Sequence, residues 1–342
     1  MRQLPVRRWG PGAQPPASGA VAVTSQLPTA PPVPLAAGSA AQIVDRVASV
    51  VLGQRQQIVL VVAGLLAGGH VLVEDVPGVG KTLLAKSLAR CLGGTAGRVQ
   101  GTADLLPADI TGVTVYDPAE RTWQFHPGPI FNNVVLLDEV NRATPRAQSA
   151  LLEAMAEGQV TVDGTAHRLP RPFFVVATQN PTGDAGTFPL VEGQLDRFAL
   201  VVSLGLPGRD AERAILGGDG GPAALERLHP VVDGAGLLAA QAEARRLHAS
   251  TAVTDFVLDV VDATRASVEV DRGASPRAAR ALLDVARGHA LLAGRDFVAP
   301  DDVKAVAPAV LGHRVGPSGR PGADAGRRLV ADLLASVPAP PV

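Results

Sequence analysis

Cysteine is nearly missing from this chain: Cys91 is the only one, which excludes an intrachain disulfide framework and a cysteine-rich zinc site. A reducing cytoplasm suits such a chain. Net charge is missing too. The 31 basic and 32 acidic residues leave a formal charge of -1, and neither half carries a long basic run, so the electrostatic footprint of tight, non-specific nucleic-acid binding is absent. No apolar run is long enough to cross a membrane. The longest, "IVLVVAGLLAGGHVLV" from Ile58 to Val73, is interrupted by Gly68, Gly69 and His70 and reads as buried helix, turn and strand. Arg2, Arg7 and Arg8 are followed by no apolar signal-peptide core, so a cytoplasmic location is expected. Lysine is scarce: Lys81, Lys86 and Lys304 are the only three.

Apolar residues make up 46% of the 342 positions, enough for one substantial core and a second, smaller one. Residues 1–40 are rich in proline, alanine and glycine, bury too little apolar surface to offset their ordering entropy, and are expected to form a disordered tail. From 41 to 206 apolar strand-like runs alternate with helical stretches, the pattern of a layered α/β domain. The best strands are Val71 to Val73, Val134 to Leu137 and Phe173 to Ala177, apolar throughout as parallel strands covered on both faces are. "TVYDPAERTWQFH" and "QVTVDGTAHRL" each put a turn signal, Asp117-Pro118 and Asp163-Gly164, between alternating stretches, and predict two β-hairpin inserts. From 207 to 342 strand signals fade and helical stretches such as "PRAARALLDVARGHALLAG" predict a small helical domain.

The chemistry starts at "LVEDVPGVGKT", where a strand turns through Asp75, Val76, Pro77, Gly78, Val79 and Gly80 into a helix opening with Lys81, Thr82 and Leu83. Glycines let backbone N–H groups wrap a polyphosphate, the helix N-terminus adds favourable partial charge, Lys81 can reach the outer phosphates and Thr82 can ligate magnesium. A compact ammonium suits that position where a planar guanidinium would not. Asp75 stands where the simplest pattern asks for glycine, which is tolerable if its φ stays negative. Hydrolysis further needs a carboxylate for magnesium and a group to orient water. In "NNVVLLDEVNRA", Asp138 would hold the metal and Glu139 would polarise the water, both at the carboxyl end of a strand; a solvated acidic pair ending a strand is the plainer reading. In "FFVVATQNP", Gln179 and Asn180 close a third strand on the same rim, where a neutral amide can position water or simply form an Asn-Pro turn. Arg197 in "GQLDRFAL" and Arg277 in "GASPRAAR" can stabilise a transferring phosphoryl group or be ordinary surface ion pairs.

Eight collinear segments resemble the MoxR family of AAA+ ATPases: "GHVLVEDVPGVGKT", "DLLPADITG", "FHPGPIF", "LLDEVNRA", "ALLEAMAEGQVTVDG", "FFVVATQNP", "GTFPLVEGQLDRF" and "GASPRA". The resemblance runs from about Ile43 to Arg314 and implies an AAA+ P-loop core with a parallel sheet and two hairpin inserts, followed by a small helical lid. It implies a Walker A loop at 75–82 with Asp75 a familiar variant, a Walker B pair at Asp138 and Glu139, sensor 1 at Asn180, an arginine finger at Arg197 and sensor 2 at Arg277. "LVEGQLDRF" departs from the usual "LPEAQLDRF" at Val191 and Gly193. ATP and magnesium would be the cofactors and a homo-oligomeric, hexameric ring the working form. The implied client is a protein, containing a von Willebrand factor A domain by family analogy, and the implied activity is chaperone-like remodelling. In that picture Lys81 and Arg277 grip the same phosphates from opposite domains, so nucleotide state sets the lid angle. The rival is a DNA-translocating motor, since helicase-like relatives share both inserts; the near-neutral charge argues against it.

Cys91 falls on an apolar helix face with Leu84, Leu88 and Leu92 and reads as core. The histidines are scattered, with no i, i+4 pair for a metal. Trp123 and Phe125 on the first hairpin can grip a partner or pack the hairpin to its own domain.

Overall fold

The computed structural model describes residues 37–76, 78–180, 186–317 and 323–341. The tail expected over 1–40 lies outside them except for its last four residues, which open α1 (Ala37–Ala48). After α2 (Arg55–Leu66) come β1 (His70–Glu74), α3 (Lys81–Cys91), β2 (Ala96–Gln100), α4 (Pro107–Thr111) and the hairpin β3 (Gly112–Asp117) and β4 (Thr122–Pro127). Next are β5 (Val134–Asp138), α5 (Pro145–Glu157), the hairpin β6 (Gln159–Val162) and β7 (Thr165–Arg168), β8 (Phe174–Gln179), α6 (Glu192–Leu195) and β9 (Phe198–Val202). The rest is mainly helical: α7 (Arg209–Leu216), α8 (Gly221–Glu226), α9 (Gly234–Arg246), α10 (Thr251–Ala266), α11 (Pro276–Leu292), α12 (Pro300–Leu311) and α13 (Ala323–Ser336). No helix among the described residues is long and apolar enough to cross a membrane.

The main sheet has the order β2-β5-β8-β1-β9 and is parallel throughout. The three strands expected from their apolar runs are its centre, and β5 and β8 are buried at every position. Alternate residues feed two cores. Val71, Val73, Val134, Leu136 and Val176 pack with α1, α2, α3 and the helical domain, while Leu72, Val135, Leu137, Val175 and Ala177 pack against α5. Cys91 belongs to the first core, fully buried, and burial pushes its thiol up to about 12.

The helical domain docks on the first face closely enough that a Cβ on Gly288 of α11 would lie 2.3 Å from the Ala63 carbonyl oxygen in α2. It also covers the outer edge of β9. His313 Nε2 donates to the Phe198 carbonyl at 3.2 Å, Arg314 donates to the Phe198 and Ala199 carbonyls, and Arg327 reaches that of Val201. Polar groups that an edge strand leaves open are thus closed by side chains of the next domain.

Both predicted hairpins form. The Asp163-Gly164 turn has φ of 48° and 77°, the paired left-handed conformation that two-residue hairpins favour. The two aromatics of the first hairpin part company. Phe125 stacks on His167 at 4.0 Å between centroids and meets Phe131 edge-on, so it ties the hairpin to its own domain. Trp123 is 71% exposed and touches Tyr116 at 5.2 Å.

His70 begins β1 with both ring nitrogens engaged: Nδ1 accepts from the Val175 N–H at 3.1 Å and Nε2 donates to the Met155 carbonyl at 3.2 Å. Burial lowers its pKa from 6.5 to about 4. Below pH 6.5 the unfolded chain takes a proton there and the folded chain does not. Stability present at neutral pH is therefore lost as pH falls toward about 4, by about 3 kcal/mol from this residue. His313, buried beside Arg314, is shifted the same way. Equilibrium unfolding at neutral and acid pH should show His70→Gln, whose amide can keep both hydrogen bonds, losing about that much less than wild type. Equal losses would place the acid sensitivity elsewhere.

Candidate functional site

At the carboxyl end of β1 the backbone leaves the sheet and re-enters as α3. Gly78 and Gly80 take φ of 89° and 98°, open to glycine and strained for other residues. Gly80 is the N-cap of α3, so free N–H groups of the first turn face the bend. A Cβ on Gly78 would meet nothing within 4 Å; the ground in front of the loop is open. Pro77 lies outside the described residues. Val79 is buried, Leu83 packs against the first core, and Val76 is exposed.

Asp75 is not among the described non-glycine residues with positive φ, which meets the condition its type imposes. Its buried carboxylate braces the loop. Oδ1 accepts from the Val76 N–H at 2.8 Å, and Oδ2 accepts from the Gly205 N–H at 2.6 Å and the Ser203 hydroxyl at 3.0 Å. Asp75→Ala would leave the Gly205 and Ser203 donors unpaired and should cost about 2–3 kcal/mol. Nucleotide affinity should fall with it, both readable from unfolding and nucleotide titration; Asp75→Asn, which keeps an acceptor, should be milder.

Lys81 is nearly buried, and its ammonium donates to the Asn180 side-chain oxygen at 2.8 Å, the Gln179 carbonyl at 3.3 Å and the Asp75 carbonyl. Burial pulls its pKa down, with Asp75, Glu139 and Asp138 pulling it back. Next to it the Thr82 hydroxyl donates to Asp138 Oδ1 at 3.3 Å, as does the Thr178 hydroxyl at 3.4 Å. Arg98 of β2 holds the other oxygen, Nε to Oδ2 at 2.9 Å. A hydroxyl and a carboxylate beside an open cradle form the hard oxygen set that magnesium takes, together with waters and phosphate. The residues present therefore fit that ion.

Glu139 sits at φ 55° and ψ 52°, a left-handed conformation that costs a non-glycine residue of order 1–3 kcal/mol and recurs at working sites. Its N–H donates to the Thr178 hydroxyl at 3.0 Å, and its carboxylate meets Arg142 at 3.2 Å, Gln100 at 3.4 Å and the Asn180 amide at 3.5 Å. Asn180 thus touches Lys81 with its oxygen and Glu139 with its nitrogen. Gln179 differs: its amide turns away to Glu74 at 3.0 Å.

Lys81, Thr82, Asp138, Glu139 and Asn180 share one rim. The two arginines do not. Arg197 precedes β9, whose first residue pairs with His70 at the start of β1, so it lies a strand's length, about 15 Å, from its own cradle. Its guanidinium donates to the Leu152 carbonyl at 3.3 Å. Arg277 joins it there, 3.4 Å from Asp196. The helical domain docks on α2 and β9, which puts the start of α11 at the amino-terminal edge of the sheet, so Arg277 stands apart from Lys81 of its own chain. Sequence reasoning missed Arg98, Asp196 and Arg314; only recognising β2 as a strand, with Arg98 two residues before its end, would have pointed to the first.

Residues 70–200 match the family model described as ATPase family associated with various cellular activities (AAA), and residues 262–333 match the AAA lid domain. The chain is 44% identical to the uncharacterised protein YeaC of Bacillus subtilis, over 80% of this chain and 85% of that one. It is 40% identical to Chaperone MoxR1 of Mycobacterium tuberculosis, over 78% and 72% respectively. A presumed ATPase of Cytophaga hutchinsonii superposes with a TM-score of 0.78 at 33% identity, covering 89% of this chain and 96% of that one. Matched along most of its length by such relatives, the chain belongs to the MoxR family of AAA+ ATPases.

Proposed function

We propose that the protein hydrolyses ATP with magnesium at the boundaries of a homo-oligomeric ring and uses lid motion to remodel or mature a partner protein. One observation carries this reading. The cradle and its carboxylates lie at one edge of the sheet and Arg197 with Arg277 at the other, so each copy holds two complementary halves of a phosphoryl-transfer site.

In this mechanism the N–H groups of residues 78–82 and the Lys81 ammonium hold the polyphosphate. Thr82 and Asp138 would hold magnesium, which when bound draws charge from the phosphate oxygens. Glu139 takes the proton of the attacking water, with Asn180 fixing its carboxylate against Lys81. Arg197 and Arg277 reach the outer phosphate of the neighbouring copy and offset the charge that builds there. A head-to-tail contact that closes on itself supplies these arginines to every copy, and a hexamer is the ring we propose. Because Arg277 belongs to the lid, turnover in one cradle pulls on the lid of the next copy. A client with a von Willebrand factor A domain is the partner class we adopt; the name of the relative MoxR1 supports a chaperone.

Turnover per molecule should therefore fall when the protein is diluted below its assembly concentration, with a matching drop in sedimentation mass. Added DNA should leave turnover unchanged. Constant turnover from a monomer would end the shared-site reading, and several-fold stimulation by DNA would favour a translocating motor.

A further inference from the structure

Arg314 follows α12 and is almost completely buried, its side chain 5% exposed. Nε donates to Asp196 Oδ1 at 2.8 Å, Nη1 to the Ala199 and Val310 carbonyls at 2.9 and 2.6 Å, and Nη2 to the Phe198 and Asp196 carbonyls at 2.7 and 3.3 Å. That accounts for all five guanidinium donors. Four of the five bonds end on residues 196 to 199, on both sides of Arg197. A planar, five-donor fork can make this set; a lysine, with three donors on a single nitrogen, cannot. The second oxygen of Asp196 faces Arg277 at 3.4 Å. That contact is long and exposed, with the Arg277 side chain 65% accessible, so Arg277 can leave it at little cost. In the Asp196–Arg314 pair the guanidinium is enclosed and the carboxylate half-buried, so breaking the pair would strand the buried arginine charge.

We propose that Asp196 and Arg314 are positioning residues for the reaction, a clamp centred on the buried Arg314 guanidinium that fixes the backbone of Arg197 to the lid, which also carries Arg277. The half-buried Arg197 and the exposed Arg277 are thereby presented to a neighbouring cradle from the same edge of the sheet. The inference rests on the shared-site reading above and adds what sets the aim of its donating half. Neither clamp residue touches the cradle of its own chain, so loss of the clamp should lower kcat and leave nucleotide affinity alone. A misaimed donor costs rate steeply: a shift of about 1 Å can cost about 100-fold.

The test uses the full chain and four variants. Asp196→Asn, nearly isosteric and still able to accept from Arg314, should lower kcat about 10- to 100-fold with KM within about twofold; Arg314→Lys should do the same, with thermal midpoints recorded for both. Each is then mixed with Glu139→Gln and with Arg197→Ala. The clamp variants keep a working cradle, so Glu139→Gln, which keeps its arginines, should restore turnover, while Arg197→Ala should not. A chain merely weakened in its own fold would not be restored by a partner. Wild-type kcat in both clamp variants, or failure of Asp196→Asn to recover with Glu139→Gln where Arg197→Ala does recover, overturns the clamp and spares the shared site. Failure of Arg197→Ala to recover with Glu139→Gln overturns the shared site, and the clamp with it.

Discussion

Glu139→Gln should lower ATP turnover by about 10²- to 10⁴-fold, the range that positioned proton transfer supplies, while nucleotide affinity stays close to wild type. The amide is isosteric with the carboxylate and cannot take a proton from water. What holds the residue in place is its backbone: the left-handed φ of 55° and the Thr178 hydroxyl on its N–H do not depend on its charge. The ion pair with Arg142 is lost, but it is half exposed and contributes little to stability. In the proposed mechanism nucleotide affinity rests instead on Lys81, Thr82 and the glycine loop, none of which the substitution alters. Steady-state hydrolysis compared with equilibrium binding of a nucleotide analogue separates the two effects. Retained hydrolysis would mean that another group activates the water, and a parallel loss of binding would mean that Glu139 shapes the cradle.

What could be read in advance follows from how local each feature is. The central strands were legible because a strand covered on both faces has every position free to be apolar. β2 was not: "AGRVQ" lies at the sheet edge, alternates between buried and exposed, and mixes glycine, arginine and glutamine with its apolar residues. β9, "FALVV", is apolar and as long as β1 and β5, but its sequence draws attention to the arginine before it. Loop 75–82 and the pair Asp138 and Glu139 were legible because their chemistry is written within a few neighbouring residues. Contacts between distant segments were not. Arg98 meets Asp138 across 40 positions and Arg314 meets Asp196 across 118, and nothing about an arginine names its acceptor in advance.

Arg277 is a further case of this kind. A serine and proline opening a helix, "SPRAAR", announce a helix start and say nothing about which edge of the sheet that start will face. The docking of α11 on α2 through Gly288, and of Arg314 on β9, decides it. Those contacts set Arg277 beside Arg197, at the edge of the sheet away from the cradle of its own chain, and it is this placement that the shared-site proposal uses.

Arg197→Ala should accordingly bind ATP normally and hydrolyse it about 10³- to 10⁵-fold more slowly, the range found for a guanidinium supplied to a transferring phosphoryl group. The arginine lies too far from its own Lys81 and Glu139 to act there, so normal binding is the expected companion of the loss. It contributes one hydrogen bond to the Leu152 carbonyl, and its removal should cost at most about 1 kcal/mol of stability. Mixing Arg197→Ala with Glu139→Gln, each inactive alone, should restore turnover at boundaries where an intact cradle of the first meets the arginine of the second. With random assembly of equal parts, about a quarter of boundaries have that arrangement, which sets the ceiling on recovery. Recovery near that ceiling fits independent boundaries; recovery far below it requires neighbouring sites in the ring to depend on one another, through the lid that carries Arg277. No recovery at all would overturn the shared site and leave Arg197 with the structural role of its hydrogen bond to the Leu152 carbonyl.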